Sequence, residues 1–560
     1  MRIFSRYVFV ILAFVISTLS FAAEKEKYWV FFKDKGPGLH KAALQELETQ
    51  LDERVKWRRS KVTASGEPLV DLTDLPLYKP YVDSIAARHI EIVVSSKWLN
   101  AVSVYTTREN AEALKKLSFV KDTQKVLRGT RKPLPDEQRV LSKPSTDFSY
   151  ESLDYGESLT QNQQIQVPEV HAAGITGANV LIAVMDTGFN LENEAFNDID
   201  IVAAYDFIND DGNVDQEEGD PFGQNRHGTN VLSVIGGFAP GNLIGPAFDA
   251  SFLLAKTEDI SSETPVEEDY WIAAAEWAEG LGADIISSSL GYLDWYDYGD
   301  MNGQTAPITI AADMAVQKGV VVVTSAGNEG DSNWQYVTAP ADGFDVIAVG
   351  AVNSSGQIAG FSSRGPTHDS RIKPDVVAMG VSCVFAYPGS GYGRGNGTSF
   401  ACPLVSGAAA LILSAHPQLP PRQVWRALTQ TASRVTNPDN TYGFGLIDAY
   451  QAVNYHGPID DPAERNQLLA VYPNPFSYSI HSELTFLLDL KEYSDVQIEL
   501  YNILGQSYGD IIKEPLAGSK ELELEWDGLT LAGRRVTSGV YFYRVYIGDY
   551  VKTGKVTMLQ

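Results

Sequence analysis

The sequence predicts an α/β fold for the middle of the chain, a mostly parallel sheet with helices on both faces, preceded by a small α+β unit and followed by a β-sandwich. Three observations carry this. From about Tyr155 to His456, short apolar runs alternate with helical ones: VLIAVMD then HGTNVLSVIGG, SFLLAK then EEDYWIAAAEWAEGLG, DIISSSLG then ITIAADMAVQKG, followed by VVVVTSAGN, DVIAVGAV and SFACPLVSGAAALILSAH. Continuous apolar strands alternating with helices belong to a parallel sheet covered on both faces, with its functional loops at the strands' C-terminal ends. That rule puts Asp186, Ser289 to Gly291 and Ala326 to Asn328 on one rim. Second, residues 24–140 mix the types: EKYWVFFKDK alternates like a strand, LHKAALQELETQLDERVKWRR has helical spacing, and IEIVVSSKWLNAVSVYTT and FVKDTQKVLR are strand-like. Third, residues 468–560 hold short alternating strands separated by turn residues (LLAVYPNPF, ELTFLLDL, DVQIELYNILGQ, ELELEWDG, GVYFYRVYIGDYVKTGKVTML), the pattern of a sandwich. Polar stretches from Lys132 to Tyr155 and after Pro458 read as linkers, the first exposed and open to proteolysis.

With 560 residues, 44% hydrophobic and 21% charged, the chain has the composition of a soluble protein of about three folded units. Arg2 and Arg6 precede an apolar run from Tyr7 to about Thr18 and small residues at Ser20 and Ala22, so residues 1–23 read as a secretory signal peptide cut after Ala22 or Ala23. A membrane anchor is the alternative; the run is short, and the sequence reading finds no second apolar run of about 18 residues. Export permits disulfides, but Cys383 and Cys402 are the only cysteines, and a bridge and two buried thiols both fit. A net charge of -27 argues against nucleic acid and anionic membranes as partners. The charge is uneven: Glu24 to Asp147 holds 23 Lys+Arg against 18 Asp+Glu, so a mildly basic N-terminal piece precedes a strongly acidic remainder, which favours association of the two.

Within GNGTSFACPL, Ser399 lies between a glycine-rich loop and an apolar helix. A serine there serves as a helix cap, and taken alone that explanation suffices. Likewise a lone Asp186 after VLIAVM is a turn residue, a lone His227 in RHGTN a cap, and Asn328 in SAGNEG a left-handed turn residue. A functional role for the serine needs partners: a base to take the hydroxyl proton, an acid to orient the base, and a donor for the oxyanion.

In that order these strings resemble the subtilisin-like serine proteases, the subtilases, and the resemblance runs from about Gln164 to Tyr450 through SSSLG, SAGNEG, FSSRGP, KPDVVAMG and YGFGLIDA. The acid-base-nucleophile order is that of the subtilisin clan. An α/β-hydrolase elbow fits less well, since Ala401 stands where G-x-S-x-G needs its last glycine. The resemblance implies a subtilisin-like sheet for residues 155–456 and a secreted endopeptidase in which His227 takes the proton of Ser399, Asp186 steadies the imidazole, and Asn328 and the Ser399 amide bind the oxyanion. It implies a substrate cleft between Ser289, Leu290 and Gly291 on one side and Ala326 and Gly327 on the other, where extended peptide of broad specificity pairs by strand addition, with Glu329 biasing the first pocket against acidic side chains. Three departures concern pocket shape: Asn230 and Leu404 replace usual histidines, and FNLENEAF lacks the usual His-Pro.

No cofactor is needed for catalysis. The acidic loop from Tyr205 to Asn225 carries enough carboxylates for a structural Ca²⁺, although it lacks EF-hand spacing and a solvated loop is the commoner outcome, so no metal ligand is assigned. By position and family analogy, residues 24–140 look like a propeptide acting as intramolecular chaperone and inhibitor, the alternative being a permanent accessory domain. Residues 468–560, with VYPNPF and LYNILGQ, resemble the C-terminal sorting domains of type IX secretion substrates in Bacteroidota-like bacteria, which implies passage through the periplasm to the outside, aided by that machinery. The competing whole-protein reading is a catalytically silent surface-binding protein on the same scaffold.

Overall fold

The computed structural model describes residues 25–126, 138–140, 153–455 and 467–559, apart from residues 39 and 65 and the short stretches 262–263, 480–482, 491–493, 503–505, 517–518 and 548–549. The expected signal peptide and most of the first linker lie outside the described residues. Of that linker, Gln138–Val140 forms a strand paired antiparallel with Tyr392–Arg394.

The central sheet has seven strands in the order Val376–Met379, Ile347–Val352, Val321–Ser325, Ile285–Ser288, Leu181–Asp186, Ser251–Lys256 and Asp200–Asp206. Every neighbouring pair is parallel. Leu181–Asp186 is wholly buried, as a near-continuous apolar run requires. From this strand the chain builds outward first on one side, through Asp200–Asp206 and Ser251–Lys256, then on the other. Asp186 therefore ends the strand at which the build direction reverses, where open α/β sheets place their ligands. Helices Arg226–Gly236 and Thr398–Ala415 pack into one core with one set of inward side chains; Val266–Gly280 and Pro307–Gln317 pack on the other face. The sequence reading missed the edge strand Asp200–Asp206, whose half-exposed pattern masks its type. The apolar helix expected after Ser399 is Thr398–Ala415, which at 18 residues is itself a second run long and apolar enough to cross a membrane, contrary to the expectation of none; 83% of it is buried in the core, which explains its composition.

The N-terminal unit is a four-stranded sheet, Glu91–Ser96, Ala101–Thr106, Glu26–Phe32 and Val120–Val126 in spatial order. The expected single helix is two, His40–Gln50 and Glu53–Ser60, because Asp52 starts the second by accepting from the Arg54 amide at 2.8 Å. At the C-terminal end, a three-stranded and a five-stranded sheet enclose one apolar cluster.

Candidate active site

The candidate acid, base and nucleophile come from three separate elements. Asp186 ends its strand with its side chain fully buried, one oxygen accepting from the Thr187 amide at 2.8 Å. His227 is the second residue of helix Arg226–Gly236. Gly228 lets that helix reach the Asp186 turn, since a Cβ there would lie 2.2 Å from the Gly188 carbonyl oxygen. At that approach His227 Nδ1 lies 2.7 Å from Asp186 Oδ1. A carboxylate only accepts, so the imidazole proton sits on Nδ1 and Nε2 is left with a free lone pair. The ring is buried, with the Phe400 ring centroid 6.4 Å away.

Ser399 is the second residue of helix Thr398–Ala415 and is half-buried where its neighbours Thr398 and Phe400 are buried. Its hydroxyl donates to the Ser289 carbonyl at 3.2 Å. Pro403, four residues on, has no N–H to offer the Ser399 carbonyl, and the Ser289 hydroxyl donates to that carbonyl at 2.9 Å instead. Two loops are thereby locked together next to the candidate nucleophile. Asn328 Oδ1 accepts from the Thr398 amide at 2.9 Å and the Thr398 hydroxyl at 3.0 Å, which fixes the amide group's orientation and leaves Nδ2 as the outward donor.

The expected cleft residues lie on the predicted rim. Ser289, Leu290 and Gly291 follow strand Ile285–Ser288, and Ala326 and Gly327 follow Val321–Ser325. Between them stands a residue that the sequence reading missed. Thr338 Oγ1 lies 2.3 Å from where a Gly291 Cβ would be and 3.0 Å from a Gly327 Cβ. Among the described residues this buried hydroxyl oxygen has no hydrogen-bond partner. No motif marks it; the signal is only that glycines stand on both sides of a cleft. Glu329 is buried, its amide donating to Ser363 Oγ at 3.0 Å.

The two cysteines are free and buried, so no bridge joins them. Burial pushes the Cys402 thiol up to about 12 and Cys383 further in the same direction, which keeps both protonated and inert. In the acidic loop, Asp206, Asp211 and Glu217 each bring a carboxylate oxygen within 4.8 Å of the others. This all-oxygen donor set fits Ca²⁺ in kind. The loop also holds a cation of its own: Lys256, at the end of strand Ser251–Lys256, is fully buried and pairs with Asp206 and Asp220.

The profile of the Subtilase family matches residues 177–445, and that of a Bacteroidota peptidase S8 propeptide domain matches residues 27–143. Subtilisin E of Bacillus subtilis (strain 168) is 38% identical over 304 residues, 54% of this chain and 71% of that protein; a subtilisin of Bacillus pumilus is 38% identical over 304 residues, 99% of its length. Bacillopeptidase F of Bacillus subtilis (strain 168) is 26% identical over 471 residues, 77% of this chain but 31% of its own. Among solved structures, fervidolysin from Fervidobacterium pennivorans, a keratinolytic enzyme related to subtilisin, superposes with a TM-score of 0.57 at 18% identity, covering 96% of this chain and 91% of that one, which speaks to fold alone. On the subtilisin identities and the matching profiles, the chain belongs to the subtilase family and is a serine endopeptidase of the subtilisin type, carried with a propeptide domain.

Proposed function

We propose that this enzyme hydrolyses proteins outside the cell through Asp186, His227 and Ser399, with Asn328 and the Ser399 amide as oxyanion donors. The 2.7 Å contact between His227 Nδ1 and Asp186 Oδ1 carries the reading, because it leaves Nε2 as the base that Ser399 needs. As Ser399 Oγ bonds to the scissile carbonyl carbon, its proton passes to His227 Nε2. Asp186 then holds the imidazolium, which delivers the proton to the leaving amine. Water, deprotonated by the same nitrogen, releases the acyl group.

The oxyanion falls between the Ser399 amide and Asn328 Nδ2. A Cβ at Gly397 would lie 3.6 Å from that amide and 3.7 Å from Nδ2, and glycine leaves the space open. The cleft loops Ser289–Gly291 and Ala326–Gly327 offer mainly backbone to an extended substrate, which supports broad specificity. The propeptide domain acts as chaperone and inhibitor until it is cut away. The signal-like N-terminus and the C-terminal sandwich direct export, the latter as a type IX sorting domain. Calcium, where present, supports the acidic loop through Asp206, Asp211 and Glu217 and takes no part in the chemistry.

Covalent labelling with a serine-reactive fluorophosphonate tests the assignment: the mature enzyme labels and cleaves an unfolded protein, and Ser399→Ala does neither. A wild-type enzyme that fails both would leave the silent-scaffold reading. Asn328→Ala lowers kcat by about 10²- to 10³-fold at nearly constant KM, the range known for this residue's role in a subtilisin rather than one derived from this structure.

A further inference from the structure

We infer that Lys256 is a positioning residue for the reaction: its ammonium clamps the acidic loop that delivers His227 to Asp186. The inference rests on the roles proposed above for those two residues. Lys256 ends its strand in register with Asp186 on one side and Asp206 on the other. Its side chain is fully buried, with Nζ 2.7 Å from Asp206 Oδ2 and 2.7 Å from Asp220 Oδ2, and it donates to the Asp215 carbonyl at 3.4 Å. It thus grips the Tyr205–Asn225 loop at three points along its length.

From those points the loop is tied to the site. Asp206 Oδ1 accepts from the amides of Ile208 and Asn209 at 2.7 and 3.0 Å, which fixes the start of the loop. The Asp215 carboxylate accepts from Asn190 Nδ2 at 2.8 Å and from Asn225 Nδ2. Asn225 is the residue on which the His227 helix begins. Gln224 Nε2 donates to the Thr187 carbonyl at 2.6 Å, and the Phe189 amide to the Val214 carbonyl at 2.7 Å, so the loop lies along the turn that follows Asp186.

Without this cation the loop loses its three anchor points at Asp206, Asp215 and Asp220 and is free to shift, and Asp206 and Asp220 are in addition left as close like charges. His227 is two residues beyond the loop's end. Displacement of a reacting group by about 1 Å costs on the order of 10²-fold in rate. The cleft walls hang from other strands, so substrate binding is spared.

The test compares mature wild type, Lys256→Met, and a charge-balanced variant carrying Lys256→Met with Asp206→Asn and Asp220→Asn, all in EGTA so that calcium cannot replace the ammonium. In Lys256→Met, kcat and the fluorophosphonate labelling rate fall together by about 10- to 100-fold, with KM within about twofold. In the balanced variant Tm returns to near the wild-type value while kcat stays at least about tenfold down. If kcat recovers along with Tm, Lys256 only stabilises the fold and the inference is overturned; unchanged kcat in Lys256→Met overturns it too. Should Lys256→Met not fold, the balanced variant decides alone. Failure of the proposed function reads differently: wild type itself does not label, or Ser399→Ala still cleaves.

Discussion

Where the propeptide domain meets the catalytic domain, buried charged side chains stand beside apolar ones such as Trp29, Trp98 and Val126, whereas the core beneath the His227 and Ser399 helices is filled by apolar side chains. At the first junction Arg58 is fully buried; it pairs with Glu279 and donates to the carbonyls of Glu279, Ala283 and Lys318 at 2.9, 3.0 and 3.2 Å. Beside it Arg59 spans Glu279 and Asp74, and Lys318 reaches Asp74 from the catalytic side at 2.9 Å. Lys27 pairs with Asp269, and Glu276 accepts from the Ser96 hydroxyl at 2.6 Å and the Trp98 amide at 3.1 Å. Within the catalytic domain the facing residues are instead Ile182, Val184, Leu254, Val323 and their like. Buried charges cost desolvation that pairing scarcely repays, but both surfaces dissolve well once parted. Permanent interfaces are more apolar than this, so the charged part of the junction suits two surfaces that separate.

The largest effect expected from this contrast comes from breaking the charged junction at its centre. Arg58→Met leaves the buried Glu279 carboxylate to Arg59 and removes the guanidinium donor from the carbonyls of Ala283 and Lys318, at a cost of about 3–5 kcal/mol. In an intact Ser399→Ala chain the loss appears as early melting of the propeptide domain, separate from the main transition. In active protein it appears as a shorter lag before full activity. A single transition with an unchanged lag would erase the distinction between the two junctions. Next in size is Leu254→Ala in the central sheet, which removes a fully buried side chain and costs about 3 kcal/mol. It lowers the main melting transition and leaves the activation lag alone.

These contacts also mark what the sequence could and could not convey. Asp186, His227, Ser399 and Asn328 each sit in a short string whose residues have local reasons to be there, such as Gly228 for close approach, so they are legible without coordinates. The charge imbalance between residues 24–147 and the rest favours their association. It did not name a pair, because Arg58 and Glu279 are 221 residues apart and only the docking of two domains makes them neighbours. Lys256 reads as the polar end of an apolar strand, and Thr338 as one residue of an unremarked loop. Their meaning comes from elements that converge in space: two flanking strands for the first, two cleft loops for the second. The split at Asp52 was hidden because the helical periodicity runs on through it.

The smallest of the expected effects tests whether charge at the propeptide junction holds it shut. Burial would raise the Asp74 carboxyl, but the bond to Arg59 and the field of Lys318 outweigh it and bring the group down to about 2. A carboxyl held lower in the folded than in the unfolded state contributes stability that is complete above its ordinary value near 3.8 and disappears as the pH falls toward 2. The contribution at neutral pH is about 2 kcal/mol. Asp74→Asn in the Ser399→Ala chain is therefore less stable than its parent at pH 6, and the gap between their melting temperatures closes between about pH 4 and pH 2. A gap that stays constant across that window would mean that Asp74 serves by shape and hydrogen bonding alone. The closing of the gap would show that protonating one carboxylate loosens the junction, which an apolar interface of the same area could not do.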